Sequence, residues 1–536
     1  MSRILVGQRV FVLTLAAAAV TVVFLLFWRI GTAPPGFHGD ECSIAYNADC
    51  IAKTGADEYG VRWPMFFRSF DIYMDPVGVY SAVVPIQVFG LREWAARFPS
   101  ALYYLMACFA FFLLLRSWRF GPWFALGGSV VLSVIPWVFP MSRNCAYAGL
   151  TAAIFGMVTG LVLTDSALRR RSTGRAVLAG LAWAFVIYAS RGAGPILALL
   201  AVGCGVALWH SLWRRWPVVL AGTLSAVVAL LPMVVSMLRF PEALTARFQQ
   251  VTLTHDPAFL TNVARRYLDY FDVRFLFISG DPELRHHTGW GGELHWFLVP
   301  LILCGFYVII RHWRRQPRYR VILVGFLASP VSAALTVDRM HSARAGYGVV
   351  FWLLLAVLGA RWLWQRRGLW RKLLWLTMCA GMLEIGLYLH NYFGAYQGRC
   401  SFAFQTELGV SLKYCFQHLR DDQVLYISPS TFSPYRSVVD ADLKPFLYAY
   451  VLFYGKIDPR KYQQTGFPDT IRLYDGHTPK PGLLLQSDYF LFDQPDGHPP
   501  YAVLEDEPLP PHARLVKSVQ FTKPYAFVHY RIFEIP

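Results

Sequence analysis

Residues 10–30 read VFVLTLAAAAVTVVFLLFWRI, an apolar run about twenty residues long. As a helix it rises about 30 Å, the thickness of a bilayer's hydrocarbon core. Arg3 and Arg9 precede it, as basic residues do in a signal peptide. No small-residue cleavage site follows, so the run is expected to stay as a transmembrane helix. The rest of the chain agrees. Of 536 residues, 55% are hydrophobic and 15% charged, and the mean hydropathy is +0.38. A purely soluble globular protein is excluded, and an α-helical polytopic membrane protein is expected.

The formal charge of +17 would suit nucleic acid if it lined one face. It does not. The basic residues fall in clusters between apolar runs: Arg3 and Arg9, Arg116 and Arg119, Arg169 to Arg175, Arg214 and Arg215, Arg311 to Arg320, Arg361 to Lys372. Almost no acid accompanies them, the pattern of cytoplasmic loops. Charge here reports topology, and no nucleic-acid partner is expected. With the clusters inside, about eleven spans alternate: 10–30, 94–116, 122–138, 147–163, 176–189, 195–208, 218–238, 296–310, 321–337, 346–360 and 373–392. The N-terminus is then inside and the C-terminus outside. The run 77–90, about fourteen residues, is too short to cross and is expected to lie in the interface. Large outer loops cover 31–93 and 239–295.

Residues 1–392 thus form the membrane domain, and hydropathy drops in 393–536, enough for one small α/β domain on the outer face. Phe404 to Leu419 suits a helix. Val424 to Ile427, Tyr489 to Phe492, Leu515 to Phe521 and Ala526 to Phe533 suit strands, and Gly466 to Gly482 a loop. Cys42 with Cys50 and Cys400 with Cys415 lie in outer regions, each pair either a disulfide or two free thiols.

Next to the first span comes GFHGDECSIAYNADC, Gly36 to Cys50. Asp40 and Glu41 are carboxylates near the membrane boundary, where charge is costly unless paired, hydrated or used. Neighbours on a helix point about 100° apart, so the two cannot share one role. One suits a general base, its neighbour a holding role; an acidic pair stabilising a helix N-terminus is the plainer reading. Arg92, Arg97, Arg143, Arg191, Asp338, Arg339, His341 and Arg344 stand at other outer span ends. Several Arg there suit a lipid-linked phosphate, although each alone reads as snorkelling to headgroups. Asp57, Glu58, Asp71 and Asp75 read as solvated loop or capping residues. His38, His286, His287 and His295 lack a tight ligand spacing, so no protein-bound metal is assigned to them. Walker loops, GxSxG and HExxH are absent.

HGDE at His38–Glu41, TGADEYG, WPMFFRSF, FGLREWAARFPSAL leading into the second span and HSAR at His341–Arg344 together resemble bacterial relatives of the protein O-mannosyltransferases and aminoarabinose lipid A transferases. The resemblance covers roughly Met1 to Ala360 in layout. It implies the GT-C fold and polyprenyl-phosphate-dependent glycosyl transfer. By position, it makes Asp40 the catalytic base, Glu41 its partner and Arg97 a donor-phosphate ligand. Arg143 has a counterpart in relatives, but no carboxylate follows it in its loop. His341 and Arg344 fit a late HxxR pattern.

The expectation is an inverting glycosyltransferase, hexosyl or pentosyl, of the bacterial inner membrane. It would move a sugar from a polyprenyl-phosphate donor to a lipid, glycan or protein acceptor at the periplasmic face. Asp40 and Glu41 are the catalytic candidates, Arg92, Arg97, Arg143 and Arg191 the donor-phosphate ligands, and His38, His341 and Arg344 the substrate contacts. No cofactor is required, with a divalent cation as an option. The rival is a lipid-linked-sugar transporter or flippase, which should carry ionisable residues within its spans.

Overall fold

The computed structural model describes residues 2–70, 72–242, 258–428, 444–474, 480–491, 509–510, 512–523 and 526–536. From the N-terminus run α1 (Ser2–Phe27), α2 (Gly39–Thr54), α3 (Pro76–Phe89), α4 (Glu93–Ser117), α5 (Pro122–Ser133), α6 (Ala148–Arg170), α7 (Thr173–Ala189), α8 (Gly194–Ala207) and α9 (Trp216–Arg239). Then follow α10 (Leu298–His312), α11 (Pro317–Ala328), α12 (Val349–Gln365) and α13 (Leu369–Phe393). Each of the expected spans overlaps one of these helices, but their lengths differ from the expectation. Six, counting the short turns leading into α6 and α12, are long and apolar enough to cross a membrane among the described residues. A seventh span results if α7 and α8, bent by 119° at their junction, count as one. Proline accounts for two of the short helices. α5 ends after 12 residues, shortly before Pro136, and α11 also has 12, starting at Pro317 and ending two residues before Pro330. The chain is a multi-pass membrane protein.

The 14-residue α3 has the expected place and length. Val79, Ala82 and Ile86 are buried on one stripe, while Val84 and Val88 are each 65% exposed. That 3.6-residue pattern lays it flat against its neighbours.

Past α13 come α14 (Thr406–His418), β3 (Val424–Ile427), α15 (Lys444–Tyr454), α16 (Pro459–Thr465), β4 (Ile471–Leu473), β5 (Gly482–Leu491), β6 (Arg514–Lys523) and β7 (Ala526–Ile535), after a small hairpin, β1 (Phe67–Ser69) and β2 (Ile72–Met74), in the first loop. The sheet order is β4-β3-β5-β7-β6, parallel at β4/β3/β5 and antiparallel beyond. Two strand expectations change. Of the expected Tyr489 to Phe492, Tyr489 to Leu491 is the far end of a ten-residue β5 and Phe492 lies outside the described residues; the stretch expected as a loop holds β4, with 475–479 also outside them.

This unit packs directly on α2, twelve of whose sixteen residues are buried. Phe37 stacks on Phe453 with centroids 4.6 Å apart, and its N–H donates to the Phe404 carbonyl at 3.0 Å. Glu58, expected to be solvated, is 3% exposed and accepts from the Tyr448 hydroxyl at 2.9 Å. Asp57 is buried too, capping a turn through Tyr59 and Val61 N–H groups. Asp71 lies outside the described residues. All nine cysteines are free. Cys42 and Cys50 sit eight positions apart on α2, about 12 Å along its axis, beyond disulfide reach.

Gly36 makes the junction. Its φ is +69°, and a Cβ there would stand 2.5 Å from the Phe404 carbonyl oxygen. Gly36→Ala is expected to lower stability by about 1–3 kcal/mol through left-handed strain alone, more with the clash. Thermal unfolding in detergent checks this, with Gly60→Ala, whose Cβ meets nothing within 4 Å, as the strained but unclashed control.

Candidate active site

His38 precedes α2, and Gly39, Asp40 and Glu41 form its first turn. Glu41 points inward and is fully buried. Its Oε1 and Oε2 accept from Arg97 Nε and Nη2, both at 2.8 Å. It also accepts from the N–H groups of Cys145 and His38, each at 3.2 Å. Asp40, one residue on, keeps 40% of its side chain exposed. The adjacent acids therefore divide as the helix geometry requires, one sealed and one open.

Arg97 and Arg143 answer differently from the expectation that they hold a donor phosphate. A guanidinium has five N–H donors. Besides Glu41, Arg97 donates to the carbonyls of Ile30, Pro34 and Gly36 at 3.2, 2.8 and 2.8 Å. Arg143 donates through Nη1 to the Leu25 and Leu26 carbonyls, through Nη2 to Trp28 and Ala33, and through Nε to Ala33 again. The Leu25 and Leu26 carbonyls are among those that the end of α1 leaves without helical partners, and Trp28 and Ala33 lie in the segment just after it. Both arginines are 0% exposed and have every donor occupied inside the protein. They hold the segment between α1 and α2.

The cation that does face the open acid is Arg285, in the loop after residue 278. Its Nε and Nη2 donate to Glu283 at 3.0 and 3.3 Å, and Nη1 lies 2.8 Å from His38 Nε2. A guanidinium cannot accept, so this contact needs the lone pair on Nε2. The His38 proton then belongs on Nδ1, which lies 3.7 Å from Asp40 Oδ2. The Asp40 N–H also approaches Nδ1, at 3.3 Å, a cap that the other tautomer would favour. The shorter, charge-assisted contact outweighs it. Burial, then the Arg285 charge, lowers the His38 pKa to about 4, so the ring is neutral near pH 7. Arg285 thus reaches Asp40 through an uncharged imidazole.

The same loop supplies the other wall. Asp281 Oδ2 meets His286 Nδ1 at 2.8 Å and accepts the Ser342 N–H at 2.7 Å. His286 packs on His341, centroids 4.4 Å apart, and edge-on against Tyr147. Asp281, His286 and His341 each bring one ligand-type atom within 4.8 Å of the others. Arg344 pairs with Asp338 at 2.7 Å behind His341. The sequence marked His286 and His341 separately but missed Arg285, Asp281 and Tyr147; the signal was the polar run GDPELRHH, whose Asp and first His stand five positions apart.

Other candidates lie elsewhere. Arg92 is exposed at the start of α4. Arg191 bridges Asp75 at 2.5 Å, donates to the Tyr73 carbonyl and stacks on Phe66, stapling the α7–α8 corner to the first loop. His287 bonds within its own loop, and His295 faces Glu384 at 3.6 Å.

Glu293 underlies this wall, fully buried, its Oε1 accepting from the Asp281 N–H and the Ser342 hydroxyl. Burial and the Asp281 charge raise its pKa to about 8. A raised carboxyl stabilises the fold in its neutral form, fully below the unfolded value of about 4.3, and loses that contribution as pH rises through about 8. The stability of wild type relative to Glu293→Gln is therefore expected to fall between pH 5 and 9, by at most about 1.4 kcal/mol per pH unit. Paired melts across that range test it. Truncating the sealed acid, Glu41→Leu, leaves Arg97 unpaired and is expected to cost about 3–5 kcal/mol, read as lost thermal stability in detergent.

No family model and no curated protein sequence matches the chain. Solved structures do. ArnT from Cupriavidus metallidurans in the apo state aligns with a TM-score of 0.50 over 98% of each chain, at 15% identity. The Archaeoglobus fulgidus oligosaccharyltransferase tethered with an acceptor peptide containing the NVT sequon gives 0.52 over 93% of this chain and 74% of that one, at 12% identity. Its apo form gives 0.50 over 80% of this chain and 63% of that one, also at 12%. At these identities the likeness concerns architecture, and the chain has the fold of the GT-C membrane glycosyltransferases.

Proposed function

We propose that the protein is an integral-membrane inverting glycosyltransferase that uses a polyprenyl-phosphate sugar, with Asp40 as its base. The observation that carries the reading is the division at the start of α2: Glu41 is sealed by Arg97, while Asp40 stays open and faces Arg285 across His38. Fold likeness to ArnT and to an oligosaccharyltransferase tethered with an acceptor peptide supports it, as does the resemblance of HGDE and RFPSAL.

In this reading Asp40 takes the proton of an acceptor hydroxyl or amide. The acceptor atom attacks the anomeric carbon from the face opposite the phosphate. The bond from that carbon to the phosphate oxygen breaks, and the oxygen leaves with the electron pair, inverting the configuration. A phosphate is an adequate leaving group without protonation, so one working carboxylate suffices, unlike the paired acids of a glycosidase. Arg285, with an Nη2 N–H beyond its bond to Glu283, takes the phosphate role expected of Arg97 and Arg143. Arg344 and His341 flank the substrate. The donor tail would lie among the spans at the periplasmic face of a bacterial inner membrane, and the acceptor would be a lipid, glycan or protein. No step runs through a metal; Asp281, His286 and His341 are the place among the described residues where a divalent ion would sit.

Asp40→Asn is expected to reduce label transfer from a radiolabelled polyprenyl-phosphate sugar by about 10²–10⁴-fold while the protein stays folded. Turnover near wild type would reject Asp40 as base. Arg285→Gln should cost about 10²–10³-fold, chiefly in kcat, as for a donor aimed at developing charge. If neither wild type nor Asp40→Asn moves label but both bind donor lipid, the transporter reading takes over.

A further inference from the structure

A second cavity, about 350 Å³, opens at the other end of the helices, on the face carrying the basic clusters. It lies between the α4–α5 connection, the end of α10, the start of α11 and the end of α12. Arg119, Arg318 and Arg361 line it, and no carboxylate does. We infer that this cavity seats the phosphate headgroup of an anionic membrane lipid.

Two of the three guanidinium groups, those of Arg361 and Arg318, are anchored, each at one edge only. Arg361 donates from Nη1 to the Arg119 carbonyl at 2.8 Å and lies 5.4 Å from the centre of the Phe120 ring. Arg318 donates from Nη1 to the Trp118 carbonyl. Among the described residues none of the three has an ion-pair partner within 4.0 Å, and nearby Asp165 is bridged to Arg169 at 2.6 Å. Trp118, also lining the cavity, is 4% exposed and its indole N–H has no acceptor. Three gathered cations and an orphan buried donor share one need, an anion with several acceptor oxygens, since a buried donor left unpaired is costly. A phosphate diester meets it with the planar fork geometry that Arg favours.

The neighbouring surface decides for a lipid over a soluble anion. Tyr307, Ile310 and Trp313, on and just after α10, are 51%, 75% and 43% exposed. Such an outward apolar wall with aromatic side chains at its end belongs at an acyl-headgroup boundary. A headgroup entering beside it would keep its chains in the bilayer. The inference needs the membrane reading alone and is independent of the transferase chemistry.

Native mass spectrometry of the full chain, after incubation with phosphatidylglycerol or phosphatidylcholine, tests it. Both lipids carry the phosphate diester, but phosphatidylcholine adds a quaternary ammonium that three guanidinium groups without a carboxylate partner repel, so wild type is expected to retain phosphatidylglycerol at least about tenfold over phosphatidylcholine, a difference of about 1.4 kcal/mol. Arg119→Gln/Arg318→Gln/Arg361→Gln should abolish the preference, and Trp118→Phe, which removes a donor to the phosphate and leaves the charges alone, should weaken retention of phosphatidylglycerol itself. Equal retention of both lipids by wild type overturns the inference, as does undiminished preference in the triple variant or undiminished phosphatidylglycerol retention in Trp118→Phe. Should the triple variant not fold, Trp118→Phe decides by itself. Displacement of bound phosphatidylglycerol by millimolar inorganic phosphate would assign the site to a soluble anion and overturn the lipid assignment.

Discussion

Arg97 and Glu41 are both removed from water, a burial that only dense hydrogen bonding makes tolerable. Arg97 meets that condition by joining three pieces of chain, α4, α2 and the segment that follows α1. The pair also fixes the rotation of α2 about its axis. With Glu41 pinned inward, Asp40 must emerge about 100° away, and it does so where Arg285 stands across His38. The outward orientation of Asp40 is thus a by-product of sealing its neighbour.

Much of this was legible. An acidic pair beside a span announces a site, and helix geometry already separated the two acids. The membrane class, the α/β character of the last 140 or so residues and three of the five sheet strands followed from pattern. The arginine roles did not. Arg143 sits at an outer span end as a phosphate ligand would, but its acceptors are carbonyls of residues 25–33, more than 100 positions away. Nothing local to RNCAY records that. Arg285 escaped notice because it stands among mixed charges in a loop whose fold brings it to residue 38 across nearly 250 positions. Span lengths misled for a local reason: prolines after α5 and α11 end helices that hydropathy carries on.

The C-terminal domain is more than an appendage. Phe37, Asp57 and Glu58 all meet it, so the helix carrying Asp40 is held between the membrane core and the sheet. Tyr448 against a 3%-exposed Glu58 makes that contact polar and specific in its geometry. A domain seated this close to the open acid belongs to the site's architecture.

Ten or so residues after α1 are threaded past two guanidinium groups that take up carbonyl after carbonyl. Such a segment has little freedom to slide, so it works as a ruler between the bilayer and Asp40. The height of Asp40 above the hydrocarbon is set by covalent length and pinned by arginine. On the proposed reading, a lipid carrier that lifts its sugar by one phosphate and a carrier that lifts it by two would present the anomeric carbon at different heights, and a site with a fixed ruler serves one of them.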